Sequence, residues 1–330
     1  MQRKGEDQPV ADLTAVGPRG ADVVLFGENS LDFVARTAAG PAAIAGKRTL
    51  TGFDVLPGGQ AATAAVGCAR QGMRTLYIGL FGGDAWADRV EEALVHEAVD
   101  VMALRIPEAP NRLAVVMVDP SGDRIVYEYR DARLRCRDEE EVTAAVVRAR
   151  IAVVDGTDLA VSTAIARAAR AAGVLTIVDV DRVEAGTGDL LSAIDLLVVP
   201  EDFVATYSGA AGLGAGLRVL ADECKPIAVI ATCGANGSLA WVGGREIVTP
   251  GYPVPVVDTT GAGDAFRAGL CRAWLNRASG RDGFSEFEAL LRWANATAAL
   301  NCRALGAQAG LPTAEEVSTL VTGGGSRRSK

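Results

Sequence analysis

Between residues 257 and 266 the chain reads Val-Asp-Thr-Thr-Gly-Ala-Gly-Asp-Ala-Phe, an order of residue types suited to moving a phosphoryl group. Gly261 and Gly263 flank Ala262, so the backbone can turn tightly with its N–H groups pointing one way. The apolar run from Ala265 to Leu275 reads as a helix starting there. A helix N-terminus with free N–H groups attracts anions. Asp264 stands beside that electropositive turn as a carboxylate. It can take the proton from an attacking hydroxyl while the amides of Gly261, Ala262 and Gly263 hold developing phosphate charge.

A second glycine-rich stretch, Pro57-Gly58-Gly59-Gln60-Ala61-Ala62-Thr63-Ala64-Ala65, lies far upstream. Gly58 and Gly59 would let backbone approach a ligand closely, with Gln60 and Thr63 projecting from the first turn of a following helix. Asp32 follows a buried strand at its C-terminal end, where open α/β sheets bind ligands. Read from the residues alone, it is equally a loop aspartate or a helix cap. Residues 40–48 invite comparison with a Walker A loop and fail it. Five residues instead of four separate Gly40 from Gly46, and Arg48 stands where Ser or Thr would meet Mg²⁺.

Taken together, the two glycine motifs resemble the ribokinase-like (PfkB) carbohydrate kinase family, over about residues 23–312, and in motif detail its ketohexokinase-like and sulfofructose kinase-like branches. The resemblance implies ATP and Mg²⁺ as cofactors, Asp264 as general base, Gly261 to Gly263 as anion hole, and Asp32 with Gly58, Gly59, Gln60 and Thr63 around the sugar. Thr63 stands where many relatives carry a substrate-contacting Asn. Thr232-Cys233-Gly234-Ala235-Asn236-Gly237-Ser238 resembles the family's T-x-G-x-x-G nucleotide loop, which puts Thr232, Gly234 and Gly237 at the nucleotide. From its residues alone the same run is also an ordinary hairpin turn. Asn295 matches the adenine-side position, although an Asn on a helix surface is otherwise unremarkable. Asp258 and Thr260, with backbone of residues 306–310, match the region where relatives hold K⁺, and Thr260 is also placed on the nucleotide side. At Val199-Pro200-Glu201-Asp202-Phe203, Pro200 and Phe203 replace both key residues of the family's Asn-x-x-Glu motif, so Mg²⁺ is expected to ride mainly on ATP phosphates and water. Arg112 is either a partner for an anionic substituent such as a phosphate or sulfonate, or a solvated charge.

The elements that must position these residues follow an α/β rhythm. Short β-rich runs at residues 23–26, 75–80, 151–154, 175–180, 196–199 and 227–231 alternate with helical segments such as 61–71 and 160–172. That rhythm predicts a central, mostly parallel sheet flanked by helices on both faces. Residues 111–119 and 124–130 alternate like strands around Pro-Ser-Gly-Asp, which predicts an antiparallel hairpin. Residues 36–55 lack a helical period. The resemblance makes a small β-sheet lid of residues 36–56 and 111–131, with pairing to a second copy through that lid. Gly209 to Leu217 misses the G-x-G-x-x-G spacing and reads as a loose connection before a helix. The domain is expected to span 21–321, between disordered segments at 1–20 and 322–330.

Composition narrows the partners. A formal charge of −8 disfavours nucleic acid and anionic membrane, and no apolar run reaches the length of a membrane span. Six cysteines without C-x-x-C spacing fit reduced thiols in a cytoplasmic protein. His96 is the single histidine, which removes Ser-His-Asp, Cys-His and multi-histidine metal chemistry. The reading is ATP-dependent phosphorylation of a hydroxyl, by expectation a primary one, on a sugar or sugar derivative. A nucleoside kinase of the same fold and a non-catalytic sugar or nucleotide sensor stand as alternatives, the first weakened by only 5% aromatic residues to face a base.

Overall fold

The computed structural model describes residues 20–38, 47, 49–119, 124–277 and 283–323. All of the expected disordered N-terminal segment but Gly20, nearly all of the rejected Walker-like run and the Pro-Ser-Gly-Asp turn lie outside the described residues. So does most of the expected tail, whose first two residues instead end a helix at Gly323.

Thirteen strands are described: β1 (Val23–Phe26), β2 (Ser30–Thr37), β3 (Leu50–Gly58), β4 (Thr75–Gly82), β5 (Asp100–Ile106), β6 (Leu113–Val118), β7 (Arg124–Tyr129), β8 (Ile151–Asp155), β9 (Leu175–Asp179), β10 (Leu196–Pro200), β11 (Ala228–Thr232), β12 (Ser238–Val242) and β13 (Arg245–Thr249). Nine of them form one sheet in the order β13-β12-β11-β10-β9-β8-β1-β4-β5. Every neighbour pair in it is parallel except at one edge, where β11, β12 and β13 run antiparallel. The helices are α1 (Gln60–Arg70), α2 (Ala85–His96), α3 (Glu139–Val146), α4 (Leu159–Ala171), α5 (Thr187–Leu191), α6 (Glu201–Ser208), α7 (Leu213–Cys224), α8 (Ala262–Leu275), α9 (Gly283–Asn301) and α10 (Ala314–Gly323).

Alternation of side chains along each strand splits the core in two. Val23, Leu25, Val153 and Ile177 pack against α1, α8 and α9, whereas Val24, Phe26, Val154 and Val178 pack against α3 to α7. Strands buried on both faces are apolar along most of their length, which is why the runs VVLF, IAVVD and LTIVD read as largely hydrophobic stretches. α1 stops where Gly72 takes φ +80°, and α6 where Gly209 takes φ +61°, a conformation favouring glycine. Gly209 to Leu217 is not the expected loose connection, since α7 begins at Leu213. Two of its glycines serve packing: a Cβ on Gly214 would lie 2.3 Å from Glu246, and one on Gly216 would lie 2.6 Å from Val204.

The second sheet has four strands in the order β3-β2-β6-β7. The expected hairpin is there as β6 and β7, and β6 also lies parallel to β2. Period-two reasoning gives the two faces of this sheet. Val34, Ala114 and Val116 form a small buried cluster on one, while Val115, Ile125, Tyr127 and Tyr129 stand exposed on the other. Asp32 belongs to the first face. It is therefore a residue of β2 in the small sheet rather than of a loop leaving the large one.

Candidate active site

The strands β1, β8 and β9 end together beneath the N-termini of α1 and α8, and an acidic residue closes two of them. Asp155 ends β8 and is fully buried. Its Oδ2 accepts the Glu28 N–H at 2.6 Å and its Oδ1 the Thr157 N–H at 2.9 Å. Gly27 leaves room for it, since a Cβ there would lie 2.1 Å from Asp155 Oδ2. Burial pushes the Asp155 carboxyl above the ordinary range.

Asp179 ends β9 at 2% exposure. Its Oδ1 lies 2.9 Å from an Arg267 guanidinium nitrogen and 3.4 Å from Gln60 Nε2. Arg267, 4% exposed, also donates to the carbonyls of Val178 at 3.1 Å and Val198 at 2.7 Å. An arginine inside an apolar helix face is satisfied here because two strand ends and one carboxylate meet its fork. Burial raises Asp179 to about 6, with Arg267 pulling the other way.

Asp264 occupies the third position of α8, which starts at Ala262 and not at Ala265 as expected. Gly261 caps the helix at φ +75°, and a Cβ on it would lie 2.5 Å from the Ala307 carbonyl, so only glycine makes this turn. The Asp264 side chain keeps a partial opening to solvent. Burial pushes its carboxyl well above the ordinary range, the Asp179 charge adds to this, and Arg267 opposes it. The two carboxyls lie within range to act directly on each other. The loop before them is clamped: Asp258 Oδ1 accepts Thr260 N–H at 2.9 Å and Thr260 Oγ1 at 2.8 Å, and Oδ2 accepts Gly306 N–H at 2.8 Å. Asn301 donates to the carbonyls of Thr260 and Ala307, at 3.0 and 3.1 Å.

On the small sheet, Asp32 accepts Ser30 Oγ at 2.6 Å, and a Cβ on Gly58 would lie 2.2 Å from Asp32 Oδ2. The glycine pair thus lets the chain run directly under the carboxylate. Gly59, at φ +92°, caps α1, and the Ala62 N–H returns to the Glu28 carbonyl at 3.1 Å. Burial raises Asp32 as well, with the Ser30 hydrogen bond opposing. A cavity is lined by Phe26, Glu28, Asn29, Arg112, Arg130 and Thr157, among others, and neither Asp32 nor a residue of the Asp264 cradle is part of its lining. Arg112 pairs with Glu28 there and lies 3.5 Å from Glu128, with 14% of its side chain exposed, so it is not a solvated charge. Arg130 donates to the carbonyls of Thr157 and Leu134.

Several expected positions are placed differently. Thr63 is fully enclosed and its Oγ1 accepts Gln308 Nε2 at 3.4 Å, because the α1 face it occupies packs inward. Asn295, 5% exposed, is not a surface residue: it donates to Ser238 Oγ at 3.0 Å and the Thr249 carbonyl at 3.3 Å, tying α9 to β12 and β13. Asp258 spends both carboxylate oxygens on the loop clamp described above. Thr232, Gly234 and Gly237 form the turn between β11 and β12, where Gly237 at φ +91° passes so close to the Thr249 carbonyl that a Cβ would lie 2.2 Å from it. Pro200 pairs with Thr232 of β11, and Phe203 is buried and stacked on Tyr207, so neither side chain offers an oxygen to Mg²⁺. Among the described residues no group of three or more His, Cys, Asp or Glu side chains could hold a metal ion. The residues present do not fit a protein-held Mg²⁺ at the position of the lost motif.

Glu28, Asp155, Asp179 and Arg267 carry the site's electrostatics without having been singled out from the sequence. A signal existed: an acidic residue ends each of two largely apolar runs, IAVVD and LTIVD, and an arginine interrupts the apolar helix after Phe266.

The pfkB family carbohydrate kinase model matches residues 21–314. The ribokinase of Haemophilus influenzae is 26% identical over 281 residues, covering 81% of this chain and 89% of that protein. Maize fructokinase-2 is 30% identical over 323 residues, covering 91% and 93%. Among solved structures, Arabidopsis thaliana ribokinase complexed with ribose and ATP superposes with a TM-score of 0.77 at 24% identity, covering 91% and 98%. With its large sheet flanked by helices, its small separate sheet and its glycine-cradled aspartate, the chain belongs to the pfkB family of carbohydrate kinases.

Proposed function

We propose that this kinase transfers the γ-phosphoryl group of ATP to a primary hydroxyl of a sugar or sugar derivative, with Asp264 as general base. The observation that carries the reading is the placement of Asp264 in the first turn of α8, behind a left-handed Gly261 cap with no side chain capping the helix's first amides. Amides of Gly261, Ala262 and Gly263 would meet the negative charge of the transferring phosphoryl, and Asp264 would receive the acceptor's proton. Asp32, under the Gly58-Gly59 turn, would orient the sugar through adjacent hydroxyls, and Gln60, which follows that turn, donates to Asp179. The turn of Thr232, Gly234 and Gly237 lies at the end of β11 in the nucleotide half, with Asn295 behind it as its support. Closure of the small sheet over the sugar would exclude water.

ATP as donor draws support from the Arabidopsis ribokinase solved with ribose and ATP. Mg²⁺ would arrive on the nucleotide, held by its phosphates and water. K⁺, if bound beside the anion hole, would rest on backbone carbonyls near residues 306–310, since Asp258 is already engaged. The relatives are named for ribose and for fructose, and the acceptor is a sugar of that class.

The test is a screen for acceptor-dependent ADP release over pentoses, ketohexoses, their phosphates, sulfonated sugars and nucleosides, repeated with Asp264→Asn. Turnover with one sugar, falling about 10²- to 10⁴-fold in the variant while ATP still binds, is the expected result. Unchanged turnover in the variant would remove Asp264 from the mechanism. Turnover confined to nucleosides would replace the sugar reading.

A further inference from the structure

Beneath the base lies a second carboxyl that the reading above does not use. Asp179 is buried, and its Oδ1 is committed to Arg267 and Gln60. Its Oδ2 is enclosed and meets no donor among the described residues. The neighbouring carboxyl that acts directly on Asp179 is that of Asp264. Two neighbouring carboxylates repel each other strongly where burial strips most of their water, so retaining one proton between them relieves the repulsion.

We propose that Asp179, fixed by Arg267, is a positioning residue for the base: in the substrate-free site it shares one proton with Asp264, and Asp264 can act only after the pair has released that proton to water. Arg267 is what makes the arrangement directional. Its fork is held by the ends of β9 and β10 and by Asp179, and one of its nitrogens would lie 3.1 Å from a Cβ on Gly263, directly under the anion hole. The negative charge therefore stays on the Asp179 side, and the proton stays on Asp264. Burial acts in the same direction at both groups.

The charges around the pair come from each element packed on it. Glu28 faces Asp264 from the turn after β1, Asp155 and Asp181 face Asp179 from the ends of β8 and β9, α1 contributes the neutral Gln60, and Arg267 of α8 is the cation in contact. Repulsion from the surrounding acids favours keeping the proton, whereas Arg267, and at Asp179 the interaction with Asp264, oppose it.

The proposal rests on the kinase reading for its consequence in turnover. There the acceptor oxygen forms a bond to the γ-phosphorus, and the bond from that phosphorus to the bridging oxygen breaks with its electron pair left on ADP. The hydroxyl proton moves to Asp264, which must have been vacated first. The acid limb of the kcat/KM profile then reports the pair.

The experiment is a carboxyl ¹³C titration of the full chain labelled in aspartate, with the Asp264 signal identified by its loss in Asp264→Asn. In the wild type Asp264 should titrate well above the usual Asp value of about 3.9. Asp179→Asn removes the neighbouring charge and should lower that midpoint by about one unit or more, whereas Arg267→Met should raise it. Arg267→Lys, which keeps the charge, should leave the midpoint close to wild type and covers the case in which the methionine variant does not fold. The acid limb of kcat/KM should move with each midpoint. A wild-type Asp264 midpoint in the ordinary carboxylate range, or one unmoved in Asp179→Asn, overturns the proposal. A merely structural Asp179 would lower activity at every pH without moving the limb. Failure of every acceptor in the ADP screen would sink the kinase reading but leave the titration as a full test of the shared proton.

Discussion

Asn111 donates its side-chain N–H to Asn29 Oδ1 at 3.1 Å, joining the two places where the chain passes from the large sheet into the small one. Asn29 follows β1 and Asn111 precedes β6, and both are buried. The pair is anchored on the large sheet: Asn29 Nδ2 donates to the Leu80 carbonyl at 2.8 Å, and Asn111 Oδ1 accepts the Gly82 N–H at 3.1 Å. Both crossings therefore move together, and with them Asp32 on β2 and Arg112 at the foot of β6. Asn111→Ala strips three side-chain hydrogen bonds from a buried junction. It should cost about 2–3 kcal/mol in urea denaturation, because the groups left behind lose partners without gaining water. The same variant should raise KM for the sugar more than KM for ATP, since the sugar side of the site hangs on this junction. Equal effects on both would detach the junction from sugar placement.

Glu28 makes stability depend on pH. It lies beside Arg112 with 12% of its side chain exposed, and burial lifts its carboxyl from an ordinary 4.5 to about 8 despite the arginine. The unfolded chain loses this proton near the ordinary value, so between about 4.5 and about 8 the folded state binds more protons than the unfolded one. Stability should fall as pH rises through that window and level off above it. Glu28→Gln should flatten the Glu28 part of the slope, gaining on the wild type in urea denaturation at pH 8 relative to pH 5. Parallel curves for the two proteins would mean that the carboxyl is ionised throughout, held by Arg112.

The large sheet was legible because strands covered on both faces need largely apolar runs, and five of the six runs read as strands end within one residue of the observed element. The exception is β4, which continues through Leu80 to Gly82. The hairpin of β12 and β13 was missed: it is an antiparallel edge, with Val248 72% exposed, and lacks the continuous hydrophobic signal. Asp264 and the two glycine turns were legible because each needs one residue type at one spacing. Asp179 and Arg267 were not, since their meaning lies in a pairing 88 residues apart in sequence that only the sheet order creates. Thr63 and Asn295 show the opposite limit. A matched position fixes where a residue falls in a helix but not which way its side chain turns, and both turned inward.

The outer face of the small sheet points to self-association. Val115, Ile125, Tyr127 and Tyr129 alternate with residues of the inner face and are 36 to 59% exposed, and Phe53 of β3 is 54% exposed. A contiguous apolar face of this kind is costly to leave in water. We expect a second copy of the chain to cover it. Light scattering coupled to size exclusion should give twice the chain mass for the wild type and a shift towards the single-chain mass for Tyr127→Glu. A wild type that stays single at micromolar concentration would refute this assignment.

Asn295 separates support from contact on the nucleotide side. Its amide is buried between α9 and the edge hairpin, donating to Ser238 Oγ and the Thr249 carbonyl. Gly237, which closes the turn from β11 into β12, packs against the same Thr249 carbonyl, so the Asn295 side chain holds that turn from behind. Asn295→Ala should destabilise the protein by about 1–3 kcal/mol, the cost of leaving buried partners unmet. ATP affinity, measured by calorimetry well below the unfolding transition, should change only about two- to threefold, within about 0.7 kcal/mol. Asn295→Asp would leave a carboxylate facing the Thr249 carbonyl oxygen and should be worse for stability than alanine. A loss of ATP affinity far beyond threefold at unchanged stability would instead place the amide in contact with the nucleotide.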